Sequence, residues 1–89
     1  MTKIYIYCLF DRQDTFHGAY SSLKAVHRDA LKIANKGHSE VFLDASFANK
    51  TDKASLVNLR NIFKGVCDVQ VRYRCGTHMA KILKMKLKE

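Results

Sequence analysis

The sequence predicts an α/β (α+β) fold in which a small sheet of three or four strands is covered by two helices. Three observations carry this prediction: an apolar, aromatic-rich run near the N-terminus, two segments with apolar residues at helical spacing, and an alternating segment near the C-terminus. The expected order is β-α-β-α-β-(β), with both helices on one face of the sheet. At 89 residues, the chain is expected to form a single domain, residues 1–89.

The first predicted strand is the run from Lys3 to Phe10, which is apolar on both faces as in a central strand. Turn-forming polar residues at 11–14 are expected to end this strand, and residues 15–20 are interpreted as a connector. Ser21 or Ser22 then caps a predicted helix that reaches Lys36 and ends at Gly37. The core face of this helix is predicted from four apolar residues at helical spacing, namely Leu23, Val26, Ala30 and Ile33.

A short second strand is predicted from Glu40 to Asp44. Because it follows the first strand through one helix, we expect the two strands to pair in parallel, as a right-handed βαβ unit over residues 3–44.

A second helix is predicted to begin at Thr51-Asp52 and to end near Gly65. Its core face would carry Leu56, Leu59, Phe63 and Val66. The segment from Asp68 to Arg74 alternates apolar and polar residues and therefore predicts a half-buried strand.

The C-terminal segment, residues 79–88, carries two conflicting signals. Its Ala, Leu, Met and Lys residues favour a helix by propensity, whereas the alternation from Leu83 to Lys88 favours a strand. The strand interpretation is preferred, as a hairpin with the preceding strand. One face of that hairpin would hold Val69, Val71, Tyr73, Leu83, Met85 and Leu87. The other would hold Arg72, Arg74, Lys84, Lys86 and Lys88.

Charge is the strongest functional signal in the sequence. The net charge is +8, and its distribution is uneven. Residues 1–44 carry six cations and five anions, whereas residues 45–89 carry ten cations and three anions. Such an excess of one sign repels itself, so it indicates a partner of opposite sign; improved solubility is the alternative explanation.

The candidate binding residues follow from this charge. In the first helix, cations at steps of four would form one row that could neutralise successive phosphates. The tail and the second helix supply the others. The predicted nucleic-acid-binding residues are Lys24, Arg28, Lys32, Lys36, Arg60, Lys64, Arg72, Arg74, Lys84, Lys86 and Lys88. Since Tyr73 is expected to point inward, no exposed aromatic is predicted on the basic face of the hairpin, and recognition through the phosphate backbone is expected.

Neither a catalytic centre nor a metal site is predicted. The four histidines lack the spacing of metal ligands, and Asp11, Asp14 and Asp44 at strand ends are explained by turn formation alone. No cofactor is expected. The odd number of cysteines indicates a reducing compartment, and no apolar run is long enough to span a membrane. A cytoplasmic location, with no membrane partner, is therefore expected.

The N-terminal block, IYIYCLFD followed by GAYSSLKAVHRDALKIAN, resembles the opening of small proteins encoded by tailed phages of the T4 type. The resemblance covers roughly the first forty residues and includes the Gly-x-Tyr-Ser-Ser-Leu turn before an Ala-rich helix. It implies a setting in the host cytoplasm, where such proteins bind and redirect host machinery. Among them are antagonists of host defence, including TifA-like inhibitors of ToxN-type endoribonuclease toxins.

Three functions follow from these observations, in order of preference. The first is non-catalytic binding of RNA through its phosphate backbone, in regulation or in antagonism of host defence. The second is inhibition of a host nuclease or toxin by direct protein binding, without RNA contact. The third is a small nuclease. The apolar run from Tyr5 to Phe10 additionally predicts a homodimer.

Overall fold

The computed structural model describes residues 4–35 and 40–87. These residues form six strands and two helices. In chain order they are β1 (Tyr5–Asp11), β2 (Phe16–Tyr20), α1 (Leu23–Ala34), β3 (Phe42–Ala45), β4 (Lys50–Lys53), α2 (Leu56–Phe63), β5 (Val69–Cys75) and β6 (His78–Lys86). A 3-10 turn, Ser46–Ala48, joins β3 to β4.

All six strands belong to one antiparallel sheet in the order β2-β1-β6-β5-β3-β4. The α+β fold is confirmed, but the expected three or four strands understate the sheet. The parallel βαβ unit is wrong, since β6 and β5 lie between β1 and β3, which run in opposite directions. The sheet is instead built from three hairpins: β5–β6 occupies the centre, and β1–β2 and β3–β4 lie at the two edges.

Strands β2 and β4 account for the missing elements. Residues 16–20 were expected to be a connector, yet Tyr20 pairs with Tyr7 and extends the sheet. Thr51 was expected to open the second helix, but it lies in β4, where it pairs with Asp44 of β3. The helix begins after Ser55, whose hydroxyl accepts a hydrogen bond from the Asn58 amide at 3.1 Å. Both missed strands are short edge strands whose stability comes from the neighbouring hairpin strand.

Helix α1 confirms the first predicted helix. The Ser22 hydroxyl accepts a hydrogen bond from the Ala25 amide at 3.3 Å and so caps the N-terminus. The buried face consists of Val26, Ala30 and Ala34. At the C-terminus, the Asn35 amide donates to the Leu31 carbonyl. The predicted cap at Gly37 and the cation at Lys36 lie outside the described residues.

Both helices pack on the same face of the sheet, as the sequence predicted. Contacts on this side include the Phe63 ring of α2 against Tyr7 of β1, and the His27 ring of α1 against Tyr73 of β5. The buried residues of both helices and of the strands form one core cluster. On the opposite face, which we call the open face, none of the described side chains is buried.

The C-terminal segment is a strand, which resolves the alternative left by the sequence. Gly76 and Thr77 form a two-residue turn, and Gly76 supplies the positive φ of 59° that such a turn requires. The predicted faces of the hairpin are wrong. Val71 pairs with Ile82 and Val69 with Lys84, so the even-numbered residues of β6 join the core face. Leu83 instead shares the open face with Arg72.

Candidate nucleic-acid interface

A shallow groove runs along α1 beside the start of α2. Its lining includes three cations of the predicted row, together with a histidine and two leucines. These residues, which we call the helical groove, are Lys24, His27, Arg28, Leu31, Lys32 and Leu56. Since the cations stand at steps of four on one helix, their side chains project along the same face. The structure therefore brings Lys24, Arg28 and Lys32 together as the sequence predicted.

Asp29 is the single acid within the two helices. Its carboxylate accepts a hydrogen bond from the Tyr20 hydroxyl at 2.6 Å and lies 3.4 Å from Arg28 Nε and 3.9 Å from Lys32 Nζ. The Tyr20 hydrogen bond and the neighbouring cations hold the pKa of Asp29 below its usual value. Arg28 and Lys32 remain 67% and 73% exposed, so these contacts leave both side chains accessible to a ligand.

The second helix adds cations on a related face. Arg60 and Lys64 follow Leu56 at steps of four, and both are exposed. Leu56 lines the helical groove, and Arg60 lies one turn further along the same face of α2. The two helices and the C-cap residue of α2 thus carry five cations against the single acid Asp29.

His27 connects the helical groove to the core. Its Nδ1 lies 2.5 Å from the hydroxyl of Tyr73, which is fully buried. Burial lowers the pKa of His27 and raises that of Tyr73, so both groups favour their neutral forms. A neutral imidazole can accept the phenolic hydrogen at Nδ1, and this tautomer carries its own hydrogen on Nε2.

The His27 contact predicts a pH dependence of stability. The pKa of His27 is lowered from its ordinary value of 6.5, so the folded state binds this proton more weakly than the unfolded chain does. The neutral histidine therefore stabilises the fold above pH 6.5, and that contribution is lost as pH falls through the lowered pKa. Urea unfolding should show that the natural chain loses stability between pH 7.5 and pH 5.5, and that His27→Gln loses less over the same interval. The matched control is His78→Gln, at a half-buried histidine outside the core cluster, and an equal reduction in both variants would contradict the assignment.

The remaining predicted cations do not join the helical groove. Arg72 and Arg74 project from β5 onto the open face, on the other side of the sheet. Arg74 donates to the Asp44 carboxylate at 3.1 Å. On the same side Lys53 pairs with Glu40, and Lys81 contacts Asp14. Apart from Arg72, the described cations of the open face are therefore balanced by acids.

Lys84 is placed differently from the prediction. It is 6% exposed on the core face, where its amine donates to the Phe63 carbonyl at 2.7 Å and lies 4.4 Å from the Tyr5 ring centroid. Burial lowers the pKa of this amine. Lys86 is exposed near the end of β6. Lys88 lies outside the described residues.

Exposed aromatics are a feature that the sequence analysis missed. Phe16 is 57% exposed and Phe42 is 40% exposed, and the register places Phe42 beside Arg74 on the open face. Phe16 is turned toward Phe10 by a bulge in β2, which leaves the two ring centroids 5.6 Å apart. Tyr73 points inward as expected, but the open face beside the hairpin does carry exposed aromatic side chains. Both residues could have been identified as exposed if it had been known that β2 and β3 are covered by helices on one face only.

No three His, Cys, Asp or Glu side chains among residues 4–35 and 40–87 lie close enough together to hold a metal ion. Asp11 instead organises the β1–β2 turn, accepting hydrogen bonds from the Gln13 and Thr15 amides and contacting His17 Nε2 at 3.0 Å. The His17 contact is the main reason that the pKa of Asp11 is lowered. Neither helix of the described chain has the length and apolar character needed to cross a membrane.

Comparison with known proteins gives no relative from which a function could be transferred. The chain matches no protein-family model, no curated protein and no solved structure.

Proposed function

We propose that this protein binds RNA non-catalytically, through phosphate contacts with the helical layer, which consists of α1, α2 and the C-cap residue Lys64. The observation that carries the proposal is the charge imbalance of that layer. Five cations meet a single acid, and Lys24, Arg60 and Lys64 have no ion-pair partner among the described residues. On the open face, by contrast, most cations are already paired.

The physical basis is release of counterions. Each cation that meets a phosphate frees a condensed counterion, so the affinity of a phosphate-binding protein falls steeply as salt rises. A row at steps of four also suits a polymer of regularly spaced phosphates better than a single small anion. Arg28 can contact phosphate with two parallel N–H groups, whereas Lys24 and Lys32 contribute point charges.

The decisive experiment measures binding to a labelled RNA oligonucleotide by fluorescence anisotropy across a salt series, using nuclease-treated protein. The variant Lys24→Ala/Arg28→Ala/Lys32→Ala should weaken binding. It should also reduce the slope of log affinity against log salt by about 2, because each phosphate contact to a single strand contributes about 0.7.

The matched control removes the same charge from the sheet: Lys50→Ala/Lys53→Ala/Arg72→Ala. This variant should keep most of the affinity and the salt slope. Equal losses in both triple variants would show a dependence on net charge alone, which would contradict the assignment to the helical groove. Absent or salt-independent binding by the natural sequence would overturn the RNA proposal.

The same samples test the two other functions. Labelled RNA that stays intact with and without chelator excludes the small nuclease. If RNA binding is absent, inhibition of a host nuclease or toxin by protein contact, as proposed for a phage setting, becomes the leading function.

A further inference from the structure

The open face carries an apolar patch that the fold leaves uncovered. The register of β2, β1 and β6 places its members side by side, and all of them are half-buried or exposed. These residues, which we call the apolar patch, are Ile6, Cys8, Phe10, Phe16, Leu83 and Met85. A contiguous patch of this kind on a soluble chain indicates an interaction surface.

The composition of the open face is that of a protein interface. Aromatic residues, Met and Arg are the types enriched where proteins meet. Both described methionines, Met79 and Met85, project onto this face, as do Phe10, Phe16 and Phe42. Arg72 and Arg74 flank them on β5.

Charge decides between the possible occupants. A nucleic acid needs an excess of unpaired cations, but the open face pairs Arg74 with Asp44, Lys53 with Glu40 and Lys81 with Asp14. A second copy of this chain requires the opposite, namely a surface with few unpaired charges. Two molecules of net charge +8 repel each other, and this repulsion is smallest when they meet through their least charged surface. The apolar patch has no charged member and satisfies that constraint.

The size of the face is sufficient for such a contact. The six strands hold 36 residues, which at about 3.3 Å along a strand and about 4.8 Å between strands cover roughly 570 Å² before side-chain relief is counted. A specific interface needs roughly 500 Å² from each partner. Two sheets packed face to face would therefore form an interface near the lower end of the stable range.

We propose that a second copy of this chain packs on the open face, with the apolar patch at the centre of a two-fold interface. Leu83 lies on the central strand β6 and Phe16 on the edge strand β2. The ion pairs of Lys53 and Arg74 lie on the other half of the sheet, at the rim of the interface. The helical layers then point outward, so the dimer presents two helical grooves on opposite sides. The dimer does not depend on RNA binding.

Sedimentation equilibrium of nuclease-treated protein tests this assembly. At micromolar concentration the natural chain should have about twice its monomer mass of 10.2 kDa. Leu83→Glu places a carboxylate between Cys8 and Gln70 on the open face, where it is solvated in the monomer and buried in the dimer. We expect the dissociation constant of the dimer to rise by at least about 100-fold.

Two further variants keep the test decisive. Phe16→Ala, at an exposed edge position, should weaken the dimer about tenfold even if Leu83→Glu fails to fold. Val57→Glu is the matched control, because Val57 is 62% exposed on α2 and lies away from the open face. Circular dichroism confirms that each variant is folded.

The remaining outcomes overturn the proposal. A natural chain that stays monomeric at 100 micromolar has no such interface. A dimer that survives both patch variants but dissociates in Val57→Glu uses another surface. If Leu83→Glu abolishes RNA binding and leaves the mass unchanged, the open face binds nucleic acid instead of a second copy.

Discussion

Replacing Tyr73 by alanine should destabilise the protein by about 3–5 kcal/mol, the range for removing a large buried aromatic side chain. Tyr73 is fully buried on the core face of β5 and is the largest completely buried side chain among the residues that the structure describes. In the sheet it lies between Leu43 and Ala80. Because Ala80 is small and Leu43 is already packed in the core, we expect much of the vacated volume to remain as a cavity.

The variant Tyr73→Phe separates packing from hydrogen bonding. It keeps the ring and removes only the hydroxyl that contacts His27, so the expected cost is about 1 kcal/mol. Urea unfolding at pH 7.5 measures both changes. If phenylalanine cost as much as alanine, the hydrogen bond to His27 would dominate over packing, contrary to the burial of the ring.

The elements with strong periodic patterns were predictable from the sequence. In α1, Val26 and Ala30 stand at helical spacing behind the Ser22 cap, and the structure buries both. In β5, strict alternation placed Val71 and Tyr73 inside and Arg72 outside, as observed. Such patterns predict local structure because the side of a helix or strand on which a residue lies depends only on its spacing from neighbours a few residues away.

The edge strands were not predictable in the same way. Strand β4 reads Lys-Thr-Asp-Lys and buries none of these side chains, so no apolar pattern marks it. Strand β2 contains Gly18, which lowers strand propensity. Both are strands because the preceding strand supplies backbone hydrogen-bond partners across a hairpin, which is tertiary information.

The apolar patch and the position of Lys84 depend on the register of the β5–β6 hairpin, whereas the helical groove does not. A turn one residue longer than Gly76-Thr77 would have put Leu83 and Met85 on the core face, as expected from the sequence. The two-residue turn reverses every side chain of β6. As a result, Leu83 joins the apolar patch and Lys84 enters the core, so one residue of turn length changes both the basic surface and the proposed dimer face.

Replacing Lys84 by alanine should therefore destabilise the fold by about 2–4 kcal/mol, unlike the replacement of a surface lysine. Its amine donates to the Phe63 carbonyl at the C-terminus of α2, where a cation also favours the helix dipole. The alanine variant leaves that carbonyl without its side-chain donor and opens space beside the Tyr5 ring.

Lys84→Met provides the matched control, since it retains most of the apolar side chain and removes the amine alone. We expect it to cost about 1–2 kcal/mol, whereas Arg72→Ala on the open face should change stability by less than about 0.5 kcal/mol. Urea unfolding measures these differences, and RNA affinity measured on the folded variants should stay unchanged for Lys84→Met. An unchanged unfolding free energy in Lys84→Ala would show that this lysine is a surface residue and not a core residue. It would also restore the hairpin faces expected from the alternation alone, because Lys84 and Leu83 cannot both lie on the open face of one strand.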